Sequence, residues 1–491
     1  MIRRSSGILL PIFSLPSPYG IGTLGAEARR FTDFLHKAGV GWWQLLPIGP
    51  TGYGASPYQS LSSYAGNPDL IDLDQLCEAG LLQASELPEA DRSDTVDHDS
   101  VSRIREPLFR KAFSRMGRQT ADKVARFAEE NAAWLEDYAL FRALKRHFGF
   151  QPWYEWDTDI RTRKPEAVLQ YRRELDGEIR YEFFVQYLFF SQWQALRAYA
   201  KERGVKLLGD LPIYVALDSA DVWSSPESFL LDADCRPTAV AGVPPDYFSE
   251  DGQLWGNPLY DWDAMRRDGF GWWIRRIDAA AKCYDALRID HFRAFAGYWA
   301  VPKNAVSAKE GAWKTGPGME LVGVLTGWFP QLQLVAEDLG TLTPDVHRLL
   351  ADSGLPGMKV LEFAFDDTEQ SSYLPHNITE NCICYTGTHD NAPLGEWVQN
   401  GGERELAFAC EYLGCDRKDL PDAMLRAGMQ SRAALFVAQM QDWLGLGAES
   451  RTNTPGTTEN NWRWRLRPGQ LTDTLAKKIA RAVKIYGRGE E

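Results

Sequence analysis

The chain has 491 residues, and its 54 lysine and arginine side chains against 67 aspartate and glutamate side chains give a formal net charge of −13. This length fits two or three ordinary domains or one large α/β barrel with insertions. The acidic balance argues against nucleic acid or an anionic membrane as the main partner. Aromatic side chains make up 12% of the chain, an abundance that needs an explanation.

The start of the chain and the cysteines indicate where the protein works. An apolar run begins only at Ile8, and Pro11 interrupts it at once, so the long apolar core of a secretory signal is missing. No apolar run approaches the roughly 18 residues of a membrane-spanning helix. The seven cysteines are scattered without paired CxxC motifs, as is typical of reduced thiols. We therefore expect a cytoplasmic, soluble protein.

Short apolar runs alternate with helical patterns along most of the chain. Strands are predicted at 8–10, 42–47, 205–209, 286–289, 332–336, 359–363 and 382–385, and helices at 27–38, 181–203, 272–282, 344–353, 403–412 and 471–486. Alternating β and α elements imply a parallel sheet. Seven or eight strands favour the α/β fold of a closed (β/α)8 TIM barrel, with residues 1–491 as a single catalytic domain.

Two segments depart from this alternation. Residues 74–173 are densely charged, and Trp134, Tyr138, Phe141, Leu144 and Phe148 recur there at helical spacing, which predicts a mainly helical insertion. Residues 212–262 are predicted as a loop insertion at the catalytic face.

Four short apolar runs each terminate in an acidic residue, three of them directly at the end of a predicted strand. These residues are Asp210, Asp290, Glu337 and Asp390. A parallel barrel projects residues at the carboxyl ends of its strands into one shared mouth. Four carboxylates gathered there repel one another unless a cation, a proton or a substrate compensates, so this set predicts an active site.

Two kinds of chemistry use several carboxylates. Glycoside cleavage needs one carboxylic acid to protonate the leaving oxygen and one carboxylate that faces the anomeric carbon. A dedicated Mg²⁺ site is the rival. Histidines beside two of the acids and aromatic loops at 54–58 and 246–256 fit sugar better, because pyranose rings offer flat C–H faces to aromatic side chains.

The ordered motifs resemble those of a known family. They are GDLPIY at 209–214, RIDH at 288–291, AEDLG at 336–340 and THDN at 388–391, supported by SPY at 56–58, PPDYF at 244–248, NTPGT at 453–457 and NW at 461–462. Across nearly the whole chain they are similar to the 4-α-glucanotransferases of glycoside hydrolase family 77, in the α-amylase superfamily. The resemblance implies a barrel without a C-terminal β-sandwich, no cofactor and no metal, and maltooligosaccharides and α-1,4-glucans as substrates.

The same resemblance implies roles for individual residues. Asp290 is expected to be the nucleophile, Glu337 the general acid and then base, and Asp390 the stabiliser of the oxocarbenium-like transition state. The residues expected to bind or surround substrate are Tyr58, Asp210, Tyr247, Phe248, Trp255, Arg288, His291, His389 and Asn461. Two alternatives remain open: an α-glucan hydrolase of the α-amylase type and a catalytically inactive glucan-binding protein. We expect a monomer with no nucleic acid or membrane partner.

Overall fold

The computed structural model describes residues 2–91, 93–245, 250–340, 342–366 and 370–489. The strands in these ranges are β1 Ser5–Leu9, β2 Trp42–Gln44, β3 Lys206–Leu211, β4 Ala239–Val243, β5 Gln253–Pro258, β6 Ala286–Ile289, β7 Gly297–Pro302, β8 Ala312–Thr315, β9 Gln333–Ala336, β10 Gly357–Val360, β11 Cys382–Tyr385 and β12 Leu435–Gln439. The helices are α1 Ala26–Lys37, α2 Leu73–Glu78, α3 His98–Ser114, α4 Arg118–Glu130, α5 Ala132–His147, α6 Thr158–Arg161, α7 Pro165–Glu174, α8 Asp176–Glu202, α9 Ala220–Ser224, α10 Trp262–Arg267, α11 Gly271–Cys283, α12 Met319–Trp328, α13 Pro344–Ser353, α14 Leu394–Asn400, α15 Glu403–Leu413, α16 Leu420–Gln430, α17 Met440–Leu444 and α18 Asp473–Ile485.

Eight strands form one parallel sheet in the order β10-β11-β12-β1-β2-β3-β6-β9. Every residue of β1, β6, β11 and β12 is buried, because a parallel sheet covered by helices leaves neither face to water. Short apolar runs therefore become its strands. The predicted (β/α)8 barrel is confirmed.

Within the barrel, two strand assignments differ from the prediction. The strand predicted at 359–363 lies at β10, and Leu361–Phe363 instead form a short 3₁₀ turn. Strand β12 was not predicted. After β12, residues 440–489 contain helices and irregular structure and no β-sandwich. No helix among the described residues is long and apolar enough to cross a membrane.

The barrel is joined between β9 and β10 through a backbone bond and a buried carboxylate. The Ala336 amide donates to the Pro356 carbonyl at 2.9 Å, and the Met358 amide donates to Asp338 Oδ1 at 2.6 Å. Burial raises the pKa of Asp338 to about 6, whereas the unfolded side chain has a pKa near 3.9. The contact between β9 and β10 is therefore sensitive to pH.

We expect the free energy of unfolding of Asp338→Asn to increase relative to that of the wild type as pH rises. Below about pH 4 the Asp338 carboxyl is protonated in both the folded and the unfolded chain. Above about pH 6 it is ionised in both, and its folded form then carries a destabilising charge of about 1–3 kcal/mol. Urea unfolding at pH 4.5 and 7.5 measures this difference. Asp352→Asn, at an exposed position of α13, is the control, and parallel pH curves for Asp338→Asn and the wild type would contradict the expectation.

A second sheet covers part of one barrel end. It is antiparallel, in the order β5-β4-β7-β8. Strands β4 and β5 come from the segment that follows β3, and β7 and β8 from the segment that follows β6. Segments that follow barrel strands lie at the carboxyl end of the barrel. Residues 212–262, predicted as a loop, thus contain α9, β4 and β5.

The segment 74–173 carries most of α2, all of α3 to α6, and α7 except its last residue. Helix α5 holds Tyr138, Phe141 and Leu144 on its buried side and packs against α8. Because α8 lies between β2 and β3 in the chain, these helices flank the barrel next to its second and third strands.

Candidate active site

The structure brings the four acidic residues to the carboxyl end of the barrel. Asp210 lies near the end of β3, Asp290 directly follows β6, Glu337 directly follows β9, and Asp390 lies in the loop after β11. Strands β3, β6 and β9 are consecutive neighbours in the sheet. Three of the acids are therefore adjacent because their strands pair in register.

A buried arginine links two of these acids. Arg288 Nη1 lies 2.8 Å from both carboxylate oxygens of Asp210 and 2.9 Å from Asp290 Oδ1. Asp210 and Arg288 are register partners in β3 and β6, and Arg288 is two residues before Asp290, on the same face of the chain. Burial raises the pKa of Asp290, the Arg288 guanidinium opposes this rise, and the surrounding acids add to it.

Glu337 has different surroundings. Its Oε2 accepts from the His291 amide at 2.6 Å, and its Oε1 accepts from the Leu339 amide at 2.7 Å. Burial raises the pKa of Glu337, although Arg288 and the two amides oppose this. Each oxygen keeps a second lone pair, so the carboxyl can hold a proton while it accepts these bonds. Arg288 contacts Asp290 directly at 2.9 Å, and this contact favours the ionised form of Asp290.

His291 helps to create this arrangement. Its φ of 53° places it in the left-handed region, which turns the chain after Asp290 and directs the His291 amide to Glu337. Its ring meets the Trp255 ring edge-on at 4.8 Å. Burial lowers the pKa of His291 to about 3, so this ring is neutral at neutral pH.

Asp390 is the most open of the acids described so far, with 42% of its side chain exposed. Its Oδ1 accepts from Asn453 Nδ2 at 2.6 Å and lies 3.3 Å from His389 Nε2. Burial lowers the pKa of His389, while Asp390 opposes this. Neutral His389 and Asn453 thus orient a carboxylate whose remaining surface faces the cavity.

An aromatic wall stands beside the acids. The Tyr58 hydroxyl donates to Asp210 Oδ2 at 2.7 Å, and its ring stacks on His389 with centroids 5.1 Å apart. The Trp462 ring lies 5.7 Å from that of Tyr58. Burial and the Asp210 charge raise the pKa of Tyr58, so this hydroxyl keeps its proton.

These side chains surround a cavity of about 300 Å³. Of the residues predicted from sequence, it is lined by Tyr58, Trp255, Asp290, His389, Asp390 and Asn461. Asp210, Arg288 and Glu337 are buried next to it. Tyr247 and Phe248 lie outside the described residues. Among the described residues no group of three or more His, Cys, Asp and Glu side chains could hold a metal ion.

Asn461 is engaged within its own loop. Its Oδ1 accepts from the Thr454 amide at 2.9 Å, and its Nδ2 donates to the Thr457 carbonyl at 3.0 Å. The side chain therefore holds the 454–461 loop at the edge of the cavity, and its two polar atoms are already used.

Several residues at the site were not among the predicted set. Tyr214, Gln253 and Asn257 line the cavity, and Arg451 lies behind Asp390. Arg451 Nη2 donates to the Asp390 carbonyl at 3.2 Å, Nε donates to the Asn453 carbonyl at 3.0 Å, and Nη1 donates to Glu396 at 3.1 Å. The position of Arg451, two residues before the NTPGT motif, is the only sequence signal for it.

Comparisons with known proteins agree with one another. The family described as 4-alpha-glucanotransferase (glycoside hydrolase 77) matches residues 10–472. A 4-alpha-glucanotransferase of Clostridium butyricum is 44% identical over 485 residues, covering 98% of this chain and 100% of the relative. One of Thermus thermophilus is 46% identical, covering 96% of each. The solved amylomaltase of Streptococcus agalactiae in complex with acarbose has a TM-score of 0.97 at 40% identity, covering 99% of this chain and 100% of that one.

Proposed function

The chain belongs to the 4-alpha-glucanotransferase family of glycoside hydrolases, and from this we propose that it moves maltooligosaccharide segments between α-1,4-glucans by a retaining double displacement. The observation that carries this proposal is the pair Asp290 and Glu337. They follow neighbouring strands, and one contacts a guanidinium while the other is buried against two amides. Two carboxyls with opposite protonation states are what a retaining mechanism requires.

In the first half-reaction the Asp290 carboxylate attacks the anomeric carbon of the donor glucan. The bond from that carbon to the leaving 4-oxygen breaks as Glu337 gives its proton to this oxygen. A β-glucosyl ester on Asp290 remains, and the shortened glucan leaves with the proton. Arg288 keeps Asp290 ionised before the attack because opposite charges 2.9 Å apart favour the charged carboxylate.

In the second half-reaction Glu337, now ionised, takes the proton of an acceptor's 4-hydroxyl. The 4-oxygen attacks the anomeric carbon and the ester bond to Asp290 breaks, which restores both carboxyls. Asp390, held by Asn453 and His389, hydrogen-bonds sugar hydroxyls as positive charge develops on the ring. Tyr58 supplies the aromatic face beneath this sugar.

Transfer exceeds hydrolysis only if a sugar hydroxyl reaches the ester more often than water does. The rings of Trp255 and His291 pack against each other at the mouth of the site. We assign this pair to the acceptor side, together with Tyr247, Phe248 and the 454–461 loop that Asn461 holds. Such packed side chains exclude water and raise the local concentration of bound acceptor.

The proposal extends to the whole chain. Residues 1–491 form one catalytic domain, in which 74–173 and 212–262 are insertions around the barrel. The protein works in the cytoplasm as a monomer, without a cofactor and without nucleic acid or membrane partners. Activity that is unchanged after treatment with a chelator would support the cofactor-free mechanism.

Arg451→Ala should lower kcat/KM for maltotriose by about 100-fold. Arg451 holds both the Asp390 backbone and the Asn453 backbone, and a displacement near 1 Å in a catalytic group costs this much. Arg417→Ala is the control, because Arg417 is an exposed arginine bonded to Val398 and Glu403. Equal kcat/KM values for Arg451→Ala and the wild type would show that Arg451 does not position Asp390 for catalysis.

Maltotriose alone tests the proposed function. We expect glucose and a ladder of longer oligomers, with a nearly constant number of reducing ends, since each transfer makes one glycosidic bond for each one broken. Steadily rising reducing ends would indicate the hydrolase instead. Unchanged maltotriose, as with Asp290→Asn, would indicate an inactive glucan-binding protein.

A further inference from the structure

A second, larger cavity lies away from the four acids. Its volume is about 730 Å³, against about 300 Å³ for the cavity at the active site. It lies among α4, α5, α8, α9 and α11, together with Ser62 and Tyr64 of the loop after β2. This volume is typical of small-molecule sites in proteins, and the mechanism above does not use it.

Aromatic side chains form much of the lining. Tyr64 and Trp134 lie nearly parallel, at 13°, with ring centroids 6.3 Å apart. Tyr187 and Trp272 also line the cavity. Flat rings with a polar edge accept the C–H face of a sugar while their hydroxyl or N–H groups bind its rim.

The charges of the lining balance. Among the described residues that form it, four basic side chains, including Arg126 and Arg275, stand against four acidic ones, including Asp137 and Asp278. A phosphorylated ligand or a nucleotide needs an excess of positive charge. Hydroxyl groups both donate and accept, so a neutral polyol can bond to side chains of either sign.

Two buried oxygens in this lining have no hydrogen-bond partner in the described part of the chain. They are the Tyr138 hydroxyl and Asp221 Oδ1. Tyr138 is 1% and Asp221 3% exposed. Asp221 Oδ2 accepts from the Ser63 amide at 2.8 Å, so this residue also holds the loop that carries Tyr58. These two oxygens lie under the lining and not at its surface, so the contacts open to a ligand are those of the aromatic rings and the charged side chains.

The larger cavity and the active-site cavity each share lining residues with a third cavity. A small cavity of about 80 Å³ lies between them and shares Ser62 and Tyr64 with the larger one and Tyr58 and Tyr214 with the active site. A glucan bound in the larger cavity is therefore held beside the site that would act on it.

We propose that the cavity among α4, α5, α8, α9 and α11 is a second binding site for a neutral oligosaccharide, an α-1,4-glucan segment that is bound but not cleaved. That the sugar is an α-1,4-glucan rests on the proposed function; the balanced charges and aromatic lining support a neutral sugar independently of it. The site holds long glucans on the enzyme and does not contact the reacting bond.

Titration calorimetry with maltotetraose tests this in the Asp290→Asn background, where the ligand is not consumed. Ser191→Trp places an indole in the cavity from an exposed position on α8, and Trp134→Ala removes one aromatic ring. Each should bind one maltotetraose fewer than the parent, or bind it at that site roughly tenfold more weakly. Trp328→Ala, an exposed tryptophan on α12, is the control and should match the parent.

Kinetics give a second readout in the otherwise wild-type chain. Ser191→Trp should leave kcat/KM for maltotriose unchanged and raise KM for long amylose roughly tenfold. Parent-like binding by both Ser191→Trp and Trp134→Ala would overturn the second site. A wild-type protein that leaves maltotriose unchanged would overturn the proposed function, whatever the calorimetry gives.

Discussion

Asp290→Asn should lower kcat for maltotriose disproportionation by roughly 10⁵-fold. An amide cannot form the glucosyl ester, and Arg288 loses the charge that it contacts at 2.9 Å. The fold should survive, because the backbone N–H of residue 290 donates to the Leu211 carbonyl at 3.0 Å and does not depend on the side chain. The measurement is the rate of glucose release, with the thermal midpoint as a check on folding.

Asp285→Asn is the matched control for this change. Asp285 stands just before the other end of the same strand, β6, where it accepts from the Leu207 amide and pairs with Arg197. The amino end of a barrel strand contributes to stability and not to catalysis, so this variant should keep nearly wild-type kcat. A loss of less than about tenfold in Asp290→Asn would exclude Asp290 as the nucleophile.

Glu337→Gln should show a dependence on the leaving group that no other variant shares. Loss of the general acid lowers the rate with maltotriose by about 10³-fold. The fluoride ion of α-maltosyl fluoride departs without a proton from the enzyme, so formation of the ester on Asp290 from this donor should fall less than about tenfold. The ester then accumulates, since no base activates the acceptor, and added azide, which needs no base, should restore turnover.

Glu362→Gln provides the comparison. Glu362 is a buried glutamate two residues after β10, and burial and the nearby Asp442 raise the pKa of its carboxyl well above the usual range. Both effects favour the neutral carboxyl, which glutamine resembles in charge and shape, so this variant should keep the wild-type preference among donors. Equal losses with maltotriose and maltosyl fluoride in Glu337→Gln would show that Glu337 does not protonate the leaving oxygen.

The barrel and its acids could be predicted because their signals are local. Asp290 and Glu337 each end a short apolar run, and parallel strands bring such ends together by geometry alone. The pairing of Asp210 with Arg288 follows from strand register. The family resemblance, and not the pattern of apolar residues, was needed to predict Tyr58 and to favour transfer over hydrolysis.

Features that depend on contacts between distant segments could not be predicted in this way. Strand β12 leads directly into α17 and ends in Gln439, so no turn or acid marks the end of its apolar run. Strand β8 is exposed throughout and forms only because β7 pairs with it. Arg451 reaches Asp390 across 61 positions, and the NTPGT motif two residues after Arg451 does not indicate which residue it contacts.

The most direct test of the account is to find the covalent intermediate. Glu337→Gln mixed with α-maltosyl fluoride, digested at low pH and measured by mass spectrometry, should give a peptide containing Asp290 that carries one maltosyl group as an ester. Asp290→Asn treated in the same way should give no labelled peptide. A maltosyl group on another residue, or turnover of the fluoride without any labelled peptide, would contradict the double displacement through Asp290.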